Sequence, residues 1–166
     1  LVSKVVPKPS VEALVDAIER AGRVCAGQGI ASVMDANVGA RCGMDEILAY
    51  DTAKRTGRLP VRTYLCLSGG PAGIVEPAFA RGLVTKAGDD MLKVGPVKVF
   101  TDGSAGGRTA AMSEPYLGGD DHDKGILVYA DADIRGMVMD YHAKGYQMAL
   151  HGIGDAVVQI CLDAVE

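Results

Sequence analysis

Apolar positions along the chain follow two alternating periods. After Pro9, the residues Val11, Leu14, Val15, Ile18, Gly22 and Cys25 recur at helical spacing behind Ser10, a residue suited to an N-cap, which predicts a helix to about residue 26. The segment GIASVMDA (29–36) is short, apolar and bounded by glycine, and reads as a strand leading to Asp35. Residues 44–56 predict a second helix stopped by Gly57, with Pro60 beyond. VRTYLCL (61–67) is rich in β-branched and aromatic residues and predicts a second strand, which runs into the loop SGGPAG. Residues 75–87 read as a third helix with Pro77 in its first turn, and GPVKVF (95–100) as the third strand. A long polar, glycine-rich excursion fills 101–125. Asp131 then caps a helix with Ile134, Met137, Val138 and Tyr141 on one face, ended by Gly145. YQMALH (146–151) is the fourth strand, and GIGD opens a last helix whose expected buried stripe is Val158, Cys161, Leu162 and Val165.

Strict alternation of short strands with helices means parallel strands joined by right-handed crossovers, hence an α/β fold. Two forms satisfy the pattern: an open doubly wound sheet or part of a (β/α)8 barrel. In either, chemistry gathers at the C-terminal ends of the strands, where Asp35, the SGG loop, Asp102 and His151 are expected. Loops as long as 101–125 in compact proteins are usually functional or disordered.

Composition narrows the classes. The 166 residues are 48% hydrophobic, enough for one core and read as one unit. Seventeen basic against 21 acidic residues give a net charge of −4 without a basic cluster, which argues against nucleic acid and anionic membrane as partners. No apolar run reaches the ~18–20 residues of a membrane span, and the N-terminus lacks the pattern of a signal peptide. Cys25, Cys42, Cys66 and Cys161 form no C-x-x-C pair and read as free buried thiols of a reducing compartment, so a cytoplasmic protein is expected.

Strand parity singles out two residues. Val97 and Val99 share one face of the third strand, and Lys98 shares the other with Phe100. With the valines against the helices, Lys98 faces the inside of the sheet or barrel, where an ammonium needs a counter-ion such as Asp35 or Asp102, or another chemistry. In QMALH, Met148 and Leu150 fall on the helix side, and Gln147, Ala149 and His151 face inward.

The segments VKVFTDGSAGGRTAAMSEPY, KGILVY and YHAKGYQMALHGIGDAVVQICLDAVE together resemble the amidohydrolase family 3 branch of the metal-dependent amidohydrolase superfamily, with its exoenzyme-regulatory-protein-like members. GIASVMDANVG and GRLPVRTYLCLSGG resemble that family's upstream segment, so the likeness spans about residues 27–166, and D-G-S-x-G-x-R-T is its most specific block. The resemblance implies a (β/α)8 barrel in which a strand lysine, here Lys98, is carboxylated to a carbamate that bridges two metal ions, with His151 a metal ligand on the next strand. It implies a divalent metal cofactor, zinc suiting the donors, and hydrolysis of an amide-type, non-peptide C–N bond in a small molecule. In the loop after Lys98, Ser104 and Arg108 are candidates to hold a substrate carboxylate or carbonyl; alternatively Arg108 pairs with Glu114 or Asp102 inside a structured loop. Asp102 and Asp35 are candidates to support a metal ligand, with a turn role the alternative for Asp102.

The family's H-x-H pair, its further histidine and its terminal aspartate base have no counterpart. His122 lies in the loop GGDDHDKG and His142 near a helix end, where structural roles are expected. A whole barrel takes ~250 residues and eight strands, against about four here. Residues 1–166 are therefore expected to be a single partial barrel domain, roughly strands two to five, too short of ligands to act alone. Uncovered strand edges in such a domain lead to an expectation of self-association. Two other readings stand beside the hydrolase: a non-catalytic amidohydrolase-like module for regulation or assembly, and an α/β phosphate binder using GSAGG as an anion nest, although neither glycine loop matches a phosphate-binding fingerprint.

Overall fold

A computed structural model describes residues 5–166. Helices and strands alternate through α1 (Val11–Gly27), β1 (Ser32–Val38), α2 (Met44–Arg55), β2 (Arg62–Ser68), α3 (Val75–Phe79), β3 (Leu92–Phe100), α4 (Asp131–Ala143), β4 (Met148–His151) and α5 (Asp155–Asp163). The hydrogen-bonded order β1-β2-β3-β4 follows the chain, giving the expected α/β fold of four parallel strands with flanking helices. The chain divides into two compact units inside β3, between Val97 and Lys98. Among the described residues no helix is long and apolar enough to cross a membrane.

In the first unit, Ser10 caps α1 as its sequence predicts, its hydroxyl accepting from the Ala13 amide at 3.2 Å. Val15 of α1 packs on Ala49 and Ala53 of α2 and on Leu59. A methyl at Gly22 would come within 2.7 Å of the Pro60 ring, so glycine lets α1 lie against that turn. Arg58 fastens the same helix by reaching Glu12, Asp16 and Glu19 together. β1 pairs in parallel with β2 from Ser32↔Arg62 to Asp35↔Leu65, and the register shifts before Val38↔Leu67.

The helix expected over 75–87 stops at Phe79. Gly82 takes φ 70°, and the Leu83 amide returns to the Ala78 carbonyl at 3.0 Å, a C-terminal closure that the apolar spacing does not reveal. The freed residues turn back antiparallel on β3, with Lys86 N to Val94 O at 2.9 Å and Val94 N to Ala87 O at 2.8 Å, which is why β3 begins three residues earlier than its pattern.

In the second unit, Ile134 and Val138 of α4 meet Val157 of α5, Ala164 just after it and Ala111 of the loop, with Met148 and Leu150 of β4 against them. Asp131 is the first residue of α4 and not its cap: Ala130 holds the extended cap conformation, and the Asp131 carboxylate instead binds Arg135 at 2.7 Å. The buried stripe of α5 is also one residue out of phase with expectation. Val157 and Ala164 are buried and Cys161 packs on the same cluster as expected, while Val158, Leu162 and Val165 are exposed. The two apolar stripes of this helix share Cys161, and packing on α4 selects the one that begins at Val157. The loop from Thr101 to Ala130 is closed at its base by Val128 N to Thr101 O at 2.9 Å and higher up by Ile126 N to Thr109 O at 3.2 Å.

Candidate functional site

The site starts from the parity of β3. Val97 and Val99 are fully buried, whereas Lys98 and Phe100 lie on the other face and are more exposed. Lys98 Nζ rests over the Phe100 ring, 4.9 Å from its centroid, a cation–π contact. Its expected ion pair with Asp102 does not form. β3 ends at Phe100, so strand alternation no longer applies two residues later. The Asp102 carboxylate, with 0% side-chain exposure, turns to main-chain donors: Ala111 N at 3.0 Å, Gly154 N at 2.8 Å and Ile153 N at 3.2 Å. It is therefore more than a turn residue.

His151 ends β4 and places its ring 5.2 Å from that of Phe100, centroid to centroid and tilted by 44°. The structure thus brings Lys98 and His151 onto the same aromatic ring from neighbouring strands. Nε2 of His151 is 2.8 Å from the Gly103 carbonyl oxygen. A carbonyl can only accept, so Nε2 carries the proton and the neutral ring keeps its lone pair on Nδ1. A histidine whose one nitrogen is held by a carbonyl is oriented as metal-binding histidines generally are. Asp102 Oδ1 stands 3.6 Å from Nε2. The main chain is held as well, because the Thr101 amide at 3.2 Å and the Thr101 hydroxyl both donate to the His151 carbonyl.

Ser104 and Arg108 lie in the exposed inner turn of the loop. The Ser104 hydroxyl accepts from Gly107 N at 3.3 Å, and its carbonyl accepts from the amides of Thr109 and Ala110. Arg108, at φ 54°, pairs with Asp123 and lies over the Tyr116 ring, 5.3 Å from its centroid. Neither Glu114 nor Asp102 is its partner. Asp123 is brought back by the loop's return, which spacing within the motif cannot show.

Asp35 does not end its strand. β1 continues to Val38, and the Asp35 carboxylate accepts from the Tyr50 hydroxyl at 2.7 Å and from Asn37 N at 3.3 Å. Burial and this carboxylate push the Tyr50 hydroxyl pKa up. Both residues line a cavity of about 640 Å³ beside Leu14 and Ile18 of α1. Sequence reasoning passed over Glu46, whose carboxylate receives Gly39 N at 2.6 Å, Arg41 N at 3.0 Å and Cys42 N at 2.7 Å. Its place three residues after the Gly43 cap of α2 is the capping-box position, and that was the available signal.

His122 is exposed in the loop and His142 is exposed in the last turn of α4. The four cysteines are free, Cys42 and Cys66 buried and the other two half-buried. Among the described residues no group of three or more His, Cys, Asp or Glu side chains is placed to hold a metal ion. Lys98 and His151 alone are fewer than the three or so protein ligands that a catalytic zinc site takes.

Comparison with known proteins supplies the context of this geometry. A family model described as "Amidohydrolase family" matches residues 1–166. "Putative amidohydrolase YtcJ" of Bacillus subtilis (strain 168) is 30% identical over 118 residues, which cover 71% of this chain and 21% of YtcJ. The crystal structure of an uncharacterized metal-dependent hydrolase from Pyrococcus horikoshii OT3 superposes with a TM-score of 0.78 at 27% identity, over 94% of this chain and 30% of that one. Its counterpart from Pyrococcus furiosus gives 0.77 at 28% identity, over 94% and 31%. The chain spans about a fifth of the curated relative's length and under a third of each solved structure.

Proposed function

Since this chain belongs to the amidohydrolase family, we propose that Lys98 and His151 are two ligands of a metal-dependent hydrolase centre that cleaves an amide-type, non-peptide C–N bond in a small molecule. One observation carries the reading: both side chains pack on the Phe100 ring from adjacent strands, and among the described residues Lys98 has no carboxylate at ion-pair distance. A lysine whose ammonium meets an aromatic face and no carboxylate is available for chemistry that a salt bridge would block.

In this reading the neutral Lys98 amine bonds through its lone pair to the carbon of carbon dioxide and releases one proton to solvent, which leaves an anionic oxygen donor in place of a cation. His151 offers Nδ1, because its Nε2 proton is engaged by Gly103. Held by these residues, a divalent ion, zinc for such a nitrogen and oxygen set, would supply polarisation of a carbonyl and a more acidic water near neutral pH. Overall, water adds across the C–N bond: oxygen joins the carbonyl carbon, the bond to nitrogen breaks and nitrogen takes the proton. Such a centre needs further ligands and a base beside these two residues, and Ser104 and Arg108, at the loop surface, are the candidates to meet the substrate.

The test is native intact mass with metal analysis after incubation with bicarbonate and zinc, for the wild type and Lys98→Ala. A carboxyl adduct of about 44 mass units together with bound zinc, both lost in the variant, is the expected result. A wild type with neither adduct nor zinc overturns the reading.

A further inference from the structure

We infer that Asp102 is the positioning residue for His151: its carboxylate clips the segment after β4 to the loop after β3 and so holds the imidazole with Nε2 on the Gly103 carbonyl. The consequence for metal binding rests on the reading of His151 as a ligand; the clip itself does not.

Three consecutive residues grip the end of β4. Thr101 takes the His151 carbonyl with both its amide and its hydroxyl, Gly103 takes the His151 ring at Nε2, and Asp102 between them takes the amides of Ile153 and Gly154. The third donor to Asp102, Ala111 N, comes from the far side of the loop. The carboxylate thus joins residues 9, 51 and 52 positions away at one fully buried point. Burying an ionised carboxylate without partners is costly, and three main-chain N–H donors offset that cost only while all the donors stay in place. Each segment is therefore held by the same group that holds the other. The fit leaves no spare room, since a methyl at Gly154 would collide with the Ala111 carbonyl oxygen. An ion pair alone would have tied Asp102 to the ring. Instead Asp102 fixes the main chain on both sides of the Nε2 to Gly103 contact, and that contact sets the tautomer.

Asparagine at this position leaves one oxygen to accept from all three amides and turns an NH2 group where Oδ1 met Ile153 N and the His151 ring, so Asp102→Asn removes the charge and weakens the clip with almost no change in volume. The measurement is the ¹⁵N NMR signature of the His151 side chain without metal, followed by zinc affinity, in the wild type, Asp102→Asn and Ser113→Ala. Ser113→Ala removes a nearby tie to Asp155 outside the clip and controls for general loosening. The expected result is a single Nε2–H tautomer in the wild type and in Ser113→Ala, mixed tautomers in Asp102→Asn, and a fall of about 10- to 100-fold in its zinc affinity. A folded Asp102→Asn that keeps the single tautomer overturns the inference. Should that variant not fold, amide exchange of the wild type decides: slow exchange at Ala111, Ile153 and Gly154 is expected, and fast exchange beside a fixed tautomer overturns the clip. If the wild type binds no zinc while Asp102→Asn still mixes the tautomers, the ligand reading fails and the positioning role stands.

Discussion

Glu46 in the first unit and Asp102 in the second use the same chemistry on different scales. Each carboxylate receives three main-chain amides beside the end of a strand. Glu46 binds amides within 7 residues of itself, on the turn that leads into its own helix, and is half-buried. Asp102 is fully buried and reaches 52 residues along the chain. A local clip shapes one loop, and water can replace it. A long-range clip makes two loops depend on each other, and only the long-range one stands beside a candidate metal ligand.

Removing both clips measures that difference. Asp102→Ala leaves three donors without an acceptor in a dry site, and a loss of about 3–5 kcal/mol in chemical denaturation is expected. Glu46→Ala exposes its donors to water, so a loss of about 1–2 kcal/mol is expected, with faster exchange confined to Gly39, Arg41 and Cys42. Equal losses would remove the distinction.

A third carboxylate sharpens the contrast from the exposed end. Asp89 is held from the ordinary 3.8 down to about 2 by the Lys54 ammonium and then by the amides of Leu92 and Met91. Its folded pKa lies below the unfolded one, so its contribution is complete above 3.8 and is lost as pH falls toward about 2. Over that interval the wild type should lose more stability than Asp89→Asn. The effect is the smallest of the three, because solvent screens this pair. Parallel acid limbs for the two proteins would show that the exposed clip contributes nothing.

What could be read from the chain divides along the same line between local and distant. Alternation along β3 was enough to turn Lys98 away from Val97 and Val99, and alternation along β4 to turn Met148 and Leu150 toward the helices, because each depends on immediate neighbours. Ser10 and Gly57 announced the start of α1 and the end of α2 for the same reason. Partners set by the return of a loop were hidden: Asp123 for Arg108, and Ile153 with Gly154 for Asp102. Boundaries failed where two local signals competed. Val157 and Val158 each begin an apolar stripe, and only the packing of α5 on α4 distinguishes them. Asp35 was misplaced because β1 outruns its apolar pattern by way of Asn37 to Val38.

The long loop after β3 closes its base with main-chain bonds, Val128 to Thr101 and Ile126 to Thr109, and braces its arms through Arg108 to Asp123, while its tip presents Leu117 at 98% exposure. Within the tip, Gly118 takes φ 77° and a methyl at Gly119 would meet the Asp123 carboxylate, so the freedom lies at Leu117. Added length there costs little, since loop entropy grows only with the logarithm of length. Exchange or lengthening at Leu117 should therefore leave the grip of residues 101–103 on His151 in place.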